Sequence, residues 1–316
     1  MDYMSPGFDK KYFAVLGSLN MDMVTRTLRF PSSGETIKGL SFKIFPGGKG
    51  ANQAVALARL GAQVKMLGAL GDDLLGSMYL KTLKAEKIDI QDIKILENQS
   101  TGTASIEVSQ TGENRIIIVP GANDFIEDAL IARIQDLSES INMLLLQLEI
   151  PLVATLKAVK VATSLGIPTL LDPAPAQDLP AELYKIIDII TPNETEAGLL
   201  TGKDTKSETG IKQAIKNLHS KGVKTVIIKV GAKGAWVSDS RSITHVPSFT
   251  VDAIDTVAAG DSFNAGLAFA LGRGNTLIQA VRFANATGAL STTKEGAQSA
   301  MPSFSEVERF LKQYAD

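Results

Sequence analysis

Along most of this chain, short runs rich in Val, Ile and Leu alternate with segments whose apolar residues recur every three or four positions. "YFAVLGS", "VKMLGAL", "MLLLQLE", "PTLLDPA", "IDIITPNE" and "KTVIIKVG" read as strands, and "ANQAVALARLGA", "LGSMYLKTLKAE", "PLVATLKAVKVATSLG" and "GIKQAIKNLHSKG" as helices. Repetition of strand and amphipathic helix predicts βαβ units, and so an α/β fold with a central, mostly parallel sheet flanked by helices. Met143 to Leu148 is apolar almost throughout, the pattern of a strand covered on both faces.

Two segments break the rhythm. Thr36 to Phe45 and Thr103 to Val119 read as strands without crossover helices, the second as a pair joined by a polar turn at Gln110 to Asn114. They predict a small β-sheet lid inserted in a single α/β domain over residues 10–316, with residues 1–9 as a flexible N-terminus. Antiparallel edge strands of the main sheet would give the same pattern, so both readings stay open.

Composition narrows the function. With 316 residues, 44% of them hydrophobic, the chain can fill one large core. The 32 basic and 34 acidic residues leave a formal charge of −2, too little positive field to hold nucleic acid or an anionic membrane. A small molecule is the expected partner. There is no Cys, which excludes disulfides and thiolate chemistry and suits a reducing compartment. Only His219 and His245 carry imidazole, and both are expected to be structural or solvent-facing. No apolar run approaches the roughly 18 residues of a membrane helix and the N-terminus lacks a secretion pattern, so the expected location is the cytoplasm.

Four stretches carry candidate chemistry. In "LGSLNMDMV", Asn20 and Asp22 stand two apart at the end of the first strand, and in extended backbone such residues project to one side. "FPGGKGANQA" sets glycines before a helix, where backbone N–H groups bind oxygen-rich ligands; a tight strand-to-helix turn needs the same glycines. Glu149, after an apolar strand, and Asn193 and Glu196 in "TPNETE" fall at carboxyl edges of strands, where open α/β sheets bind ligands. Helix capping is the plain alternative for Glu196. "KVGAKG" is either an ordinary hairpin turn or a backbone surface for a nucleotide. In "DTVAAGDSFNAG", Ala258, Ala259 and Gly260 leave a helix start unobstructed for a phosphoryl group, and Asp261 can accept a proton beside it. By chemistry alone, Asp261 serves equally as a helix cap.

Jointly, "GSLNMD", "GGKGANQA", "PNETE", "KVGAKG" and "DTVAAGDSFNAG" resemble the ribokinase-like, or PfkB, carbohydrate kinases, in order and spacing across residues 14–302. The resemblance implies a ribokinase-like fold whose lid pairs two subunits into a homodimer, and ATP-dependent phosphorylation of D-ribose at O5 to D-ribose 5-phosphate. It implies that Asn20, Asp22, the Gly48, Lys49, Gly50 and Asn52 loop and Glu149 hold the sugar, with Asp261 as base and Ala258, Ala259 and Gly260 as anion hole. Asn193, the turn of Lys229, Val230, Gly231, Ala232, Lys233 and Gly234, and Asn285 would contact ATP, and Glu196 would act on Mg2+ through water. A K+ site would involve Asp255, Val257, Ser291, Lys294, Gly296 and Ala300. Three positions depart from the family pattern: Lys229 stands where Thr is frequent, Ala300 where Ser is common, and Ser262 in place of the more usual Thr.

Rival readings are a kinase of the same family acting on 2-deoxyribose, a fructose derivative or a nucleoside, and a non-catalytic sugar-binding regulator. The intact base and anion hole speak against the last. A dinucleotide oxidoreductase would need G-x-G-x-x-G after the first strand, where the chain reads "GSLNMD".

Overall fold

A computed structural model describes residues 12–314; the expected flexible segment 1–9 lies outside the described residues. In chain order the elements are β1 (Tyr12–Leu16), β2 (Asn20–Arg26), β3 (Ser41–Gly47), α1 (Lys49–Arg59), β4 (Val64–Gly71), α2 (Leu74–Ala85), β5 (Ile93–Leu96), β6 (Gly102–Val108) and β7 (Asn114–Val119). Then come α3 (Asp128–Asp136), β8 (Ile141–Leu146), α4 (Leu152–Ser164), β9 (Thr169–Leu171), α5 (Ala181–Ile186), β10 (Ile189–Ile190), α6 (Glu194–Thr201) and α7 (Glu208–Ser220). The chain closes with β11 (Thr225–Lys229), β12 (Ala235–Ser238), β13 (Ile243–Val246), α8 (Ala259–Gly272), α9 (Leu277–Ser291) and α10 (Phe304–Lys312).

A nine-stranded sheet runs in the order β13-β12-β11-β10-β9-β8-β1-β4-β5. It is parallel from β5 through β11, with β12 and β13 added as an antiparallel edge. Each strand face meets its own helical layer. Phe13 and Val15 of β1 join a core with α1, α8 and α9, while Ala14 and Leu16 join a second core with α3, α4 and α7. This alternation explains the apolar strands. From β1 the chain passes to β4 on one side and later returns to β8 on the other. The strand order therefore reverses at β1, and a ligand crevice belongs at the carboxyl ends of β1 and β8.

A separate four-stranded sheet, β3-β2-β6-β7, forms the lid, which removes the edge-strand alternative. Two expectations are corrected. The main-sheet strand ends at Leu16, so Asn20 and Asp22 do not close it; they open β2, a lid strand. Residues 36–40 are not strand, because β2 ends at Arg26 opposite Ser41 and leaves them no ladder partner.

Candidate active site

Asn20 and Asp22 enter the crevice from the lid, and both fit because a glycine on a neighbouring strand leaves room for each side chain. Asn20 pairs with Gly47 on one side and Gly102 on the other. A Cβ on Gly47 would stand 2.2 Å from Asp22 Oδ2, and one on Gly102 would stand 2.3 Å from Asn20 Oδ1. Asn123 Nδ2 donates to Asn20 Oδ1 at 2.8 Å and fixes that amide. Burial, together with the negative charges of Glu149 and Asp261, pushes the Asp22 carboxyl up to about 7.

Glu149 reaches the N-terminus of α1. Its Oε2 accepts from Ser18 Oγ at 2.5 Å and from the Lys49 N–H at 2.9 Å, a carboxylate placed where the helix dipole favours it. Gly48 precedes the helix at φ 87°, a backbone region that favours glycine. Lys49, assigned by sequence to the sugar loop, extends its ammonium into a pocket shared with Asp172, Glu196, Lys229 and Asp261. Burial opposes that charge, but the carboxylates of Asp261, Asp172, Glu149 and Glu196 outweigh it and hold the ammonium protonated.

Asp261 is not the cap of α8. The cap position is Ala258, with φ 59° and no side-chain bond, and Asp261 lies one turn in, 4% exposed. Its carboxylate accepts from Asn52 Nδ2 at 3.0 Å and Gln53 Nε2 at 3.2 Å. Burial pushes Asp261 up to about 6; Asp172 adds to this, while Lys49 and the two amides pull against it. A carboxylate poised there ionises at neutral pH yet holds a proton well enough to act as a general base. The Ala259 N–H donates to Thr256 O at 3.3 Å. The helix itself supplies no carbonyl to the N–H groups of Gly260 and Asp261. Gly260, the last of the expected run Ala258 to Gly260, thus opens the helix with an N–H that the helix itself does not use.

The polar pocket, lined also by Asn193, opens at Lys229 and Gly260 into an apolar one bordered by Phe249, Val251, Phe263 and Asn285. Asn193 and Glu196 form a capping box for α6, each side chain accepting the other's N–H, at 2.8 and 2.7 Å. Burial, the largest influence on Glu196, raises its carboxyl. Glu196 therefore caps α6 and also lines the pocket. In the expected nucleotide turn, Lys229, Gly231, Ala232 and Gly234 line the apolar pocket. Val230 instead packs into the core, and Lys233 is exposed with its carbonyl bound by His245 Nε2. Gly234, at φ 103°, lies so near the next strand that a Cβ would stand 2.2 Å from Val246 O. Asn285 Nδ2 is tied to Val246 O and Pro247 O at 3.0 and 3.1 Å. His219 is structural, bound to Val223 O and Ser238 Oγ.

Asp255 joins the two segments expected around a monovalent cation. Its carboxylate accepts from the Val257 and Gly296 N–H groups, each at 3.0 Å. Ser291 Oγ donates within its own helix to Gly288 O, and Lys294 Nζ turns away to Glu306 at 2.9 Å. Ala300 is fully buried. Among the described residues no three His, Asp or Glu side chains converge on one point.

Sequence reading missed Ser18, Gln53 and Asp172. Gln53 donates to both Asp172 Oδ2 and Asp261 Oδ1, each at 3.2 Å. Asp172 pairs with Lys229 at 2.9 Å. Asp172 follows a strand in "LLDPA", so the rule that selected Glu149 applies to it as well.

A buried carboxylate beside a helix start, between a polar crevice and a glycine-bordered pocket, is the arrangement of a phosphoryl-transfer site. The pfkB family carbohydrate kinase pattern matches residues 10–303, and the chain belongs to that family. It is 42% identical to the ribokinase of Haemophilus influenzae over 96% of this chain and 99% of that protein. It is 36% identical to the deoxyribokinase of Salmonella typhimurium over 94% of this chain and 98% of that one. The structure of Arabidopsis thaliana ribokinase complexed with ribose and ATP superposes with a TM-score of 0.90 at 32% identity, covering 96% of this chain and 99% of that one.

Proposed function

We propose that this kinase transfers the γ-phosphoryl group of ATP to O5 of D-ribose, giving D-ribose 5-phosphate and ADP. One observation carries the reading: Asp261, buried and held by Asn52 and Gln53, stands where the crevice bearing Asn20, Asp22 and Glu149 meets the pocket of Lys229 and Gly260. The polar side chains suit a small polyhydroxylated sugar, because buried polar groups left unmatched are costly. The names of the ribokinase relatives support ribose itself.

As O5 attacks phosphorus, its proton passes to Asp261 Oδ, the new O5–P bond forms, and the bond from phosphorus to the bridging oxygen of ADP breaks. The N–H groups opening α8 and the ammoniums of Lys49 and Lys229 face the charge that develops on the transferring group. A Mg2+ ion would arrive with the nucleotide and screen the charge of its phosphates, with Glu196 of the pocket wall acting on it through water. K+ would be held by carbonyls of the segments that Asp255 joins, and would stiffen the approach to α8. Use of ATP fits the expected cytoplasmic location.

The lid supports a homodimer. Every residue of β7 is exposed, including Ile116 to Val119 at 49–69%, as is Phe42 of β3. An apolar edge strand left in water is an association surface, and the lid of a second copy is the partner of matching chemistry.

The test is phosphorylation of a sugar panel with ATP and Mg2+. D-ribose should give the highest kcat/KM and a 5-phosphate product. A higher value for 2-deoxyribose, a fructose derivative or a nucleoside would reassign the substrate, and no turnover with any of them would refute kinase activity.

A further inference from the structure

The ion pair of Lys229 and Asp172 is the most deeply placed charge pair facing the pocket, with side chains 13% and 2% exposed. Desolvating such a pair costs about what its attraction returns, so fold stability gives little reason for it. Its location gives a better one. Lys229 Nζ lies 3.5 Å from where a Cβ on Gly260 would stand, so an anion bound to the Gly260 N–H meets this ammonium after a small rotation of a flexible stem. On its other side, Asp172 shares Gln53 with Asp261. Gln53 is fully buried and its own Oε1 accepts from Gln147 Nε2 at 2.8 Å, which fixes the amide's orientation.

We propose that Lys229 is a phosphoryl-contacting cation, held by Asp172 until the transferring group reaches Gly260, and that Gln53 links the Asp172 carboxylate, then without its ammonium partner, to Asp261. With the site empty, the ammonium neutralises Asp172. When Lys229 turns to the phosphoryl oxygens, Asp172 is left negative beside the base, and Asp261 binds the hydroxyl proton more tightly at the moment it must accept it. No proton moves on Lys229 or Asp172; the bonds made and broken are those of the transfer itself. The inference rests on the phosphoryl-transfer reading and assigns two further residues to it.

The charged groups around Asp261 are Lys49 from α1, Asp172 after β9, Lys229 at the end of β11, Asp22 from β2, Glu149 after β8, and Glu194 and Glu196 of α6 across the pocket. Removing the members of the Lys229 and Asp172 pair singly should shift Asp261 in opposite directions. Lys229→Met leaves Asp172 uncompensated, so Asp261 becomes harder to ionise and the acidic limb of kcat/KM moves to higher pH. Asp172→Asn leaves the ammonium alone, and the limb moves to lower pH. Each displacement should be about one pH unit, and the double variant should return towards the parent.

The experiment measures kcat/KM against pH for the parent, both single variants, the double variant and Lys229→Arg. Calorimetric titrations of parent and Lys229→Met with ATP and with ADP, without sugar, accompany it. Lys229→Met should lose kcat by about 10²–10³-fold with the sugar KM little changed. Its ATP affinity should fall about tenfold while ADP affinity holds, and Lys229→Arg should recover most of the loss. Limbs that move together or stay put, equal weakening of ATP and ADP, or Lys229→Met turnover near that of the parent would overturn the proposal. A purely structural pair would lower stability without opposed limbs. The nucleotide titrations read Lys229 whatever the acceptor, so a parent that binds ATP yet phosphorylates no pentose refutes the ribose assignment and not this one.

Discussion

Asn52 and Asp261 are 209 residues apart in the chain, and the amide of one donates to the carboxylate of the other at 3.0 Å. That bond ties α1, which opens beside Glu149, to α8, which opens at the pocket of Lys229 and Gly260. With the bond from Gln53 to the other carboxylate oxygen, it fixes Asp261 beside the pocket it lines.

The titration of Asp261 sets the first expectation. Burial raises this carboxyl to about 6, and a base must be ionised to take a proton. Activity is therefore present above that value, and kcat/KM should fall as pH drops through about 6. Asp22, raised to about 7, protonates in the same window and broadens the limb. A profile flat from pH 5 to pH 8 would exclude Asp261 as the titrating base.

Gly47→Ala tests the fit of the lid. The added methyl would stand 2.2 Å from the Asp22 carboxylate, forcing that side chain out of place. Sugar KM should rise by at least about tenfold, since displacement of a binding group by about 1 Å costs up to 10²-fold. ATP affinity in the absence of sugar should not change. Parental sugar kinetics in this variant would show that Asp22 does not contact the substrate.

Much of this site was legible in the sequence because its signals are local. Asp261 follows its own anion-site turn, and Glu149 and Asn193 follow their own strands. Gln53 was not legible: its partners Asp172 and Asp261 lie 119 and 208 residues away, and nothing in the local pattern marks a buried amide as a bridge. The missed strand β2 has a similar cause. Only Gly17 to Leu19 separate it from β1, too short a break to signal a change of sheet. The start of β3 at Ser41 was set by its partner's length, a property of the pair.

Ile117, at 69% exposure in the single chain, is placed to test the lid dimer. Light scattering should give a dimer mass for the parent and a monomer mass for Ile117→Glu, because a buried unpaired charge is costly. A parent that stays monomeric at every concentration would contradict the dimer.

Potassium should raise turnover in sodium-free and potassium-free buffer. The response should be lost in Asp255→Ala, which releases the Val257 and Gly296 N–H groups. Ala300→Ser, adding a hydroxyl at a fully buried position, should lower the potassium concentration required. Full parental activity without a monovalent cation would remove this role.

The most direct measurement is the rate of D-ribose 5-phosphate formation from D-ribose and ATP by the parent and by Asp261→Asn, with binding of both substrates followed in parallel. The substitution keeps shape and removes the proton acceptor. A positioned base contributes about 10²–10⁴-fold, so the parent should form the 5-phosphate and the variant should bind both substrates while losing kcat by that factor. A variant turning over at near the parental rate, or a parent that forms no ribose 5-phosphate, would contradict the account.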